Sequence, residues 1–152
     1  MIVWKGNANM FKDWTPTACP VIPTNLTPYA NAGIALEIRK HTPPHEFEQK
    51  HKANVTGGLM EFSNGKFAWD LPTKYDLNPG SISDIALMER GLLALYHVSR
   101  NLRSLGIGTI LLPKIGSGLG RLNWSFVWEC LNDLVNHIAS LFTVNIYAKE
   151  PK

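Results

Sequence analysis

An α/β fold around a mixed, mostly parallel central sheet is what this sequence predicts, on three observations. Short apolar runs of strand length alternate with segments of helical periodicity along the chain. One run, Thr109-Ile-Leu-Leu-Pro113, is apolar throughout, as a strand covered on both faces requires. An Asn64-Gly65 pair between two apolar runs marks one antiparallel hairpin.

The elements run in order from the N-terminus. A short strand over Ile2 to Lys5 opens the chain and ends at Gly6-Asn7. Ala18 to Thr24 reads as a buried strand, although Pro20 and Pro23 cannot donate to a ladder. The turn-forming stretch Leu26 to Gly33 runs into a helix over Ile34 to His41, which Thr42-Pro43-Pro44 stops. Charged residues between His45 and Lys52 suggest a short surface helix. The hairpin pairs Gly58–Phe62 with Lys66–Leu71, and Pro72 to Ser81 reads as a loop. After Ser83-Asp84 as cap, Ile85, Met88, Leu92, Leu95, Ser99 and Leu102 recur at helical spacing, with Gly106 closing the helix. A second stripe, Val127, Leu131, Leu134, Ile138 and Leu141, marks the final helix, and Thr143 to Ala148 the last strand. No repeat or linker divides the 152 residues, so one domain over 1–152 is expected.

Composition narrows the function classes. Hydrophobic residues at 45% and charged residues at 18% suit a soluble globule, and no stretch approaches the ~18 apolar residues of a membrane span. A net charge of +3, without a basic run, favours anionic ligands but does not indicate nucleic-acid binding. Met-Ile-Val-Trp-Lys at the start has no secretion-signal pattern, so the cytoplasm is the expected location. Cys19 and Cys130 have no metal-ligand spacing and read as free thiols. His41 and His45 are four apart, but Pro43 and Pro44 keep them off one helical face, so no metal site is expected.

Ligands of open α/β sheets bind beyond the carboxyl ends of the strands. Two loops stand at such places: Asn25 to Gly33, and Ile115-Gly116-Ser117-Gly118-Leu119-Gly120-Arg121. Glycines admit ligand atoms to backbone N–H groups, and a helix start attracts phosphate. Two such loops can clasp a diphosphate from both sides. A lone Gly-x-Gly is more often a plain tight turn; its pairing with Asn31-Ala32-Gly33 shifts the balance toward a ligand loop, with the tight turn as the alternative. The G-x-x-x-x-G-K-[ST] phosphate loop is absent, and Arg121 stands where the dinucleotide fingerprint needs its third glycine.

These stretches carry a resemblance. Val3-Trp-Lys-Gly6, Asn31 to Lys40, Leu71-Pro-Thr-Lys74 and Ile110 to Trp124 make the chain resemble a macro domain over nearly its whole length. The Pro72-Thr73-Lys74 stretch is similar to the branch of macro domains that remove ADP-ribose from acidic side chains or, as antitoxins, from DNA bases. The resemblance implies a three-layer α/β/α fold and ADP-ribose, free or on DNA or protein, as partner, with no cofactor, no metal and no membrane; a monomer is expected. It implies Ala32, Gly33 and Ile34 on one side of the diphosphate and distal ribose, and Gly116, Ser117, Gly118, Leu119, Gly120 and Arg121 on the other. Asn25 matches an asparagine near the distal ribose. Asn7, with Ala8 beside it, stands where the family usually has an aspartate bound to the adenine amino group. Thr73 and Asn31 join the site by position, and Tyr147 is an adenine neighbour or core packing.

Lys74 is the implied catalytic group, because a lysine amine can capture the anomeric carbon of the distal ribose. Asp70, Asp76 and Asp84 flank it as candidates to orient a water. Ile22-Pro-Thr-Asn25 departs from the family's Asn-Thr-x-Asn, Pro28 to Asn31 fill its glycine-rich loop, and Gly120 replaces the aspartate of the side-chain-deglycosylating relatives. The expected function is therefore ADP-ribose binding with hydrolysis of ADP-ribosyl linkages. The alternatives are a non-catalytic binding module and a phosphatase acting on ADP-ribose 1″-phosphate.

Overall fold

The computed structural model describes residues 1–29, 33–76, 78 and 81–151. Six strands form one sheet: β1 Ile2–Trp4, β2 Ala18–Asn25, β3 Gly58–Glu61, β4 Phe67–Lys74, β5 Thr109–Leu112 and β6 Thr143–Ile146. Their order is β1-β6-β5-β2-β4-β3, and every pairing is parallel except β3 with β4. The helices are α1 Gly33–Ile38, α2 Glu46–Lys50, α3 Ile85–His97, α4 Ser99–Ser104 and α5 Trp124–Ala139.

Side-chain alternation along the strands builds two cores. Cys19, Val21, Trp69, Leu71, Ile110, Leu112, Val144 and Ile146 face one way, against Met88, Leu92, Leu95, Val127, Leu131 and Ile138 of the long helices. Ala18, Ile22, Ala68 and Leu111 face the other way, toward Met10, Trp14, Ile38 of α1 and Phe47 of α2. Helices on both faces cover the central strands β2, β4 and β5 almost completely, which is why these read as near-continuous apolar runs. The result is a three-layer α/β/α arrangement.

The prolines of β2 sit where one ladder is missing. Pairing with β5 ends at Pro20, and pairing with β4 begins at Val21, so each proline has one side without a strand partner. The expected loop from Pro72 is corrected: β4 continues to Lys74. Its pairing with β3 stops at Asp70, so a missing donor at Pro72 has no partner to fail on that side. The helix expected across 85–105 is also interrupted. Val98 leaves helical geometry between α3 and α4, at a Val-Ser step of two weak helix formers, while Leu102 keeps its place in the core.

Candidate functional site

The carboxyl ends of β2, β4 and β5 open into a cleft of about 850 Å³ that extends to Tyr147, just past β6. From β6 to β4 is three strand spacings, about 14 Å. A cleft of that span has room for an extended ligand.

A register shift aims the lysine. Thr24 pairs with Pro72 and Asn25 with Lys74, so Thr73 is an extra residue in β4. Such a bulge bends its strand and re-aims the next side chains along it. Thr73 Oγ1 donates to the Thr24 carbonyl at 3.3 Å, and the Thr73 carbonyl accepts from Asp84 N at 2.8 Å. Lys74 then reaches across to the glycine loop, where its Nζ donates to the Leu119 carbonyl at 3.0 Å.

The glycine loop is shaped by its backbone. Gly116 has φ +78° and Gly118 φ +66°, conformations that cost other residues energy. Gly118–Gly120 forms a single 3-10 turn. Among the described residues, the N–H groups of Gly118 and Leu119 donate to no protein acceptor, as the first donors of a helical turn cannot. Both residues line the cleft. Gly120 has a different reason: a Cβ there would lie 2.2 Å from Ser83 Oγ.

The first loop is pinned from beneath. Asn25 Oδ1 accepts from Thr27 N and Oγ1 at 2.9 and 2.7 Å, and its Nδ2 donates to the Tyr29 carbonyl at 3.2 Å. Asn25 lines the cleft, yet most of its bonding capacity is spent on building its own turn. Below it, His51 and Asp70 form a buried pair at 2.7 Å, Thr24 Oγ1 donates to the other Asp70 oxygen, and His51 Nε2 meets the Thr27 carbonyl at 2.7 Å. Burial disfavours the charged ring, but the hydrogen bond and charge of Asp70 and the Thr27 carbonyl outweigh it and raise the His51 pKa.

At the opposite end, Tyr147 is buried in the second core and lines the cleft. Its hydroxyl donates to Asp13 at 2.6 Å, and burial, then this bond and the carboxylate charge, push the phenol pKa up. Asn9 and Phe11 line this end too, Phe11 stacking on His41 at 4.7 Å.

The cleft gathers Ala8, Asn25, Gly33, Ile34, Thr73, Lys74, Gly116, Ser117, Gly118, Leu119, Gly120 and Tyr147 of the residues expected from the sequence. Asn7 and Arg121 are not part of its lining, and Asn31 and Ala32 fall outside the described residues. Of the three aspartates near Lys74, Asp70 is committed to His51 and Asp84 caps α3 by accepting from Leu87 N at 2.9 Å. Asp76 alone of these lines the cleft. Ser81 Oγ at 2.7 Å, Asn78 N at 2.9 Å and the Lys74 charge hold it below the usual carboxylate range. Sequence reading missed Ser83, Lys114 and Glu37, which also line it. No group of three or more potential metal ligands occurs among the described residues.

No protein-family model matches the sequence, and no curated protein matches it. Solved structures do. The chain is similar to the macrodomain of Thermus aquaticus DarG, with TM-score 0.75 and 21% identity over 99% of both chains. It is similar to the macrodomain of Mycobacterium tuberculosis DarG, with TM-score 0.73 and 21% identity over 98% of this chain and 99% of that one. Thermosipho africanus DarTG in complex with ADP-ribose matches with TM-score 0.66 and 20% identity, over 94% of this chain and 40% of its own. The chain has the macrodomain fold.

Proposed function

We propose that this cleft binds ADP-ribose and that the chain hydrolyses ADP-ribosyl linkages on nucleic acid or protein. The observation that carries the reading is the placement of Lys74. The Thr73 bulge delivers its side chain to the mouth of a cleft whose glycine loop presents unpaired N–H groups. Those donors suit a diphosphate, the Tyr147 end suits the adenosine, and Lys74 then stands beside the distal ribose C1″. The likeness to a DarTG structure holding ADP-ribose supports the same reading. No cofactor is called for, because holding the diphosphate and engaging C1″ both fall to groups of this chain.

Two observations favour a second reading, a non-catalytic ADP-ribose binder. Asn25 is turned into loop construction, and Lys74 is itself bonded to the Leu119 carbonyl, which makes a structural strut of it as well.

Calorimetry with ADP-ribose, AMP and ribose 5-phosphate tests the binding part. ADP-ribose is expected to bind tightest, at micromolar affinity or about 8 kcal/mol. Equal affinity for AMP ends the assignment. A panel of ADP-ribosylated DNA, ADP-ribosylated protein and ADP-ribose 1″-phosphate, with release followed by chromatography, separates hydrolase, phosphatase and binder.

A further inference from the structure

Ser83 lies in the cleft wall with 6% of its surface exposed, and its Oγ has no hydrogen-bond partner among the described residues. Buried hydroxyls in folded proteins nearly always have one, so an orphan in a cleft wall calls for an explanation. The side chain is not free to drift. Ser83 N donates to the Gly120 carbonyl at 2.9 Å, and the next amide, Asp84 N, donates to the Thr73 carbonyl at 2.8 Å. These two bonds fix Ser83 between the glycine loop and the residue preceding Lys74. Gly120 completes the arrangement, since a Cβ there would lie 2.2 Å from Ser83 Oγ and 3.1 Å from its Cβ. The serine thus fills the space that a side chain at 120 would need.

We propose that Ser83 is a ligand-contacting residue whose Oγ hydrogen-bonds a hydroxyl of the distal ribose. This rests on the ADP-ribose reading of the cleft. A serine hydroxyl carries one donor and two acceptor lone pairs, matching a sugar hydroxyl that also gives and takes. A phosphate oxygen only accepts, and the Gly118 and Leu119 N–H groups already supply donors for it. The bonds to Thr73 and Gly120 put Ser83 at the Lys74 end, with the Tyr147 end about 14 Å away across three strand spacings. Ser117 Oγ is unpartnered as well, but it sits at the start of the 3-10 turn, where a phosphate would be held.

The test compares wild type and Ser83→Ala by calorimetry with ADP-ribose and with ADP, which lacks the distal ribose, alongside thermal melting. Removing an orphan hydroxyl from a buried position should leave the melting temperature unchanged or higher. Affinity for ADP-ribose should fall about tenfold, or 1.4 kcal/mol, while affinity for ADP stays the same. No loss, or an equal loss for both ligands, overturns the assignment, as does a lower melting temperature with both affinities reduced. A wild type that does not prefer ADP-ribose to ADP defeats the ADP-ribose reading itself. A preserved preference in Ser83→Ala defeats only the role of Ser83.

Discussion

Asp70 on β4 and His51 at the end of α2 meet Oδ2 to Nδ1 at 2.7 Å, with side chains 4% and 1% exposed. The second His51 nitrogen faces the Thr27 carbonyl at 2.7 Å. A carbonyl and a carboxylate both accept, so a protonated ring, donating from both nitrogens, satisfies both partners. In that form His51 ties the central sheet to the loop that leaves β2 for the cleft.

This pair makes stability depend on pH. The His51 pKa is raised in the folded chain above its ordinary value of about 6.5. A raised pKa contributes stability that is fully present below the unfolded value and is lost as pH climbs through the folded one. Melting temperature should thus decline from about pH 6.5 upward. His51→Ala should lack that component and lose about 3–5 kcal/mol at about pH 6, because the Asp70 carboxylate is left buried with Thr24 alone. Melting curves of the two proteins that run parallel across this range would refute the coupling.

A charge placed in the glycine loop should block the ligand while sparing the core. Gly118 has φ +66° and nothing within 4 Å of where a Cβ would stand. Gly118→Glu therefore costs about 1 kcal/mol of backbone strain and puts a carboxylate beside the donors expected to hold the diphosphate. ADP-ribose affinity should drop at least ~100-fold, or about 2.7 kcal/mol. Unchanged affinity in a folded variant would place the diphosphate elsewhere.

The sheet was legible in the sequence because its alternation is clean: Cys19 and Val21 go to one core, Ala18 and Ile22 to the other. The two cleft loops were legible because glycine and turn residues interrupt apolar runs at strand ends. What escaped depended on distant partners. His51 lay in a charged segment that read as a solvated helix, and its burial is explained by Asp70, 19 residues on, and Thr27, 24 residues back. The Thr73 bulge is a property of the register with β2 and leaves no local mark. Ser83 read as part of a helix cap. The residue that caps is Asp84, and only the approach of Gly120 reveals what its neighbour does.

That approach is testable by stability alone. Gly120→Ala should cost about 1–3 kcal/mol, since its Cβ overlaps Ser83 in a packed wall. In a Ser83→Gly background the same substitution should cost markedly less, with a coupling of about 0.5–3 kcal/mol from the double-mutant cycle. Denaturant unfolding of the four proteins supplies the numbers. Additive costs would mean that Gly120 is not glycine on account of Ser83.

The role of Lys74 separates an enzyme from a binder. Its side chain spans the cleft mouth to the Leu119 carbonyl, whereas the donors offered to the diphosphate are the backbone N–H groups of Gly118 and Leu119 and not the lysine amine. Lys74→Ala should therefore abolish release of ADP-ribose from its substrate and leave most ADP-ribose affinity in place. A group needed only in the transition state lowers turnover without a matching loss of ground-state binding. If the lysine attacks C1″ and the opened sugar forms an imine, borohydride should trap the adduct on wild type and not on the variant. A purely electrostatic lysine would give the same loss of turnover with no adduct, so the trapping experiment chooses between the two modes. Wild type inactive on every substrate of the panel would leave a binding module, with Lys74 as the strut that fixes the glycine loop. Full turnover in Lys74→Ala would instead move the chemistry to Asp76, the neighbouring carboxylate that lines the cleft.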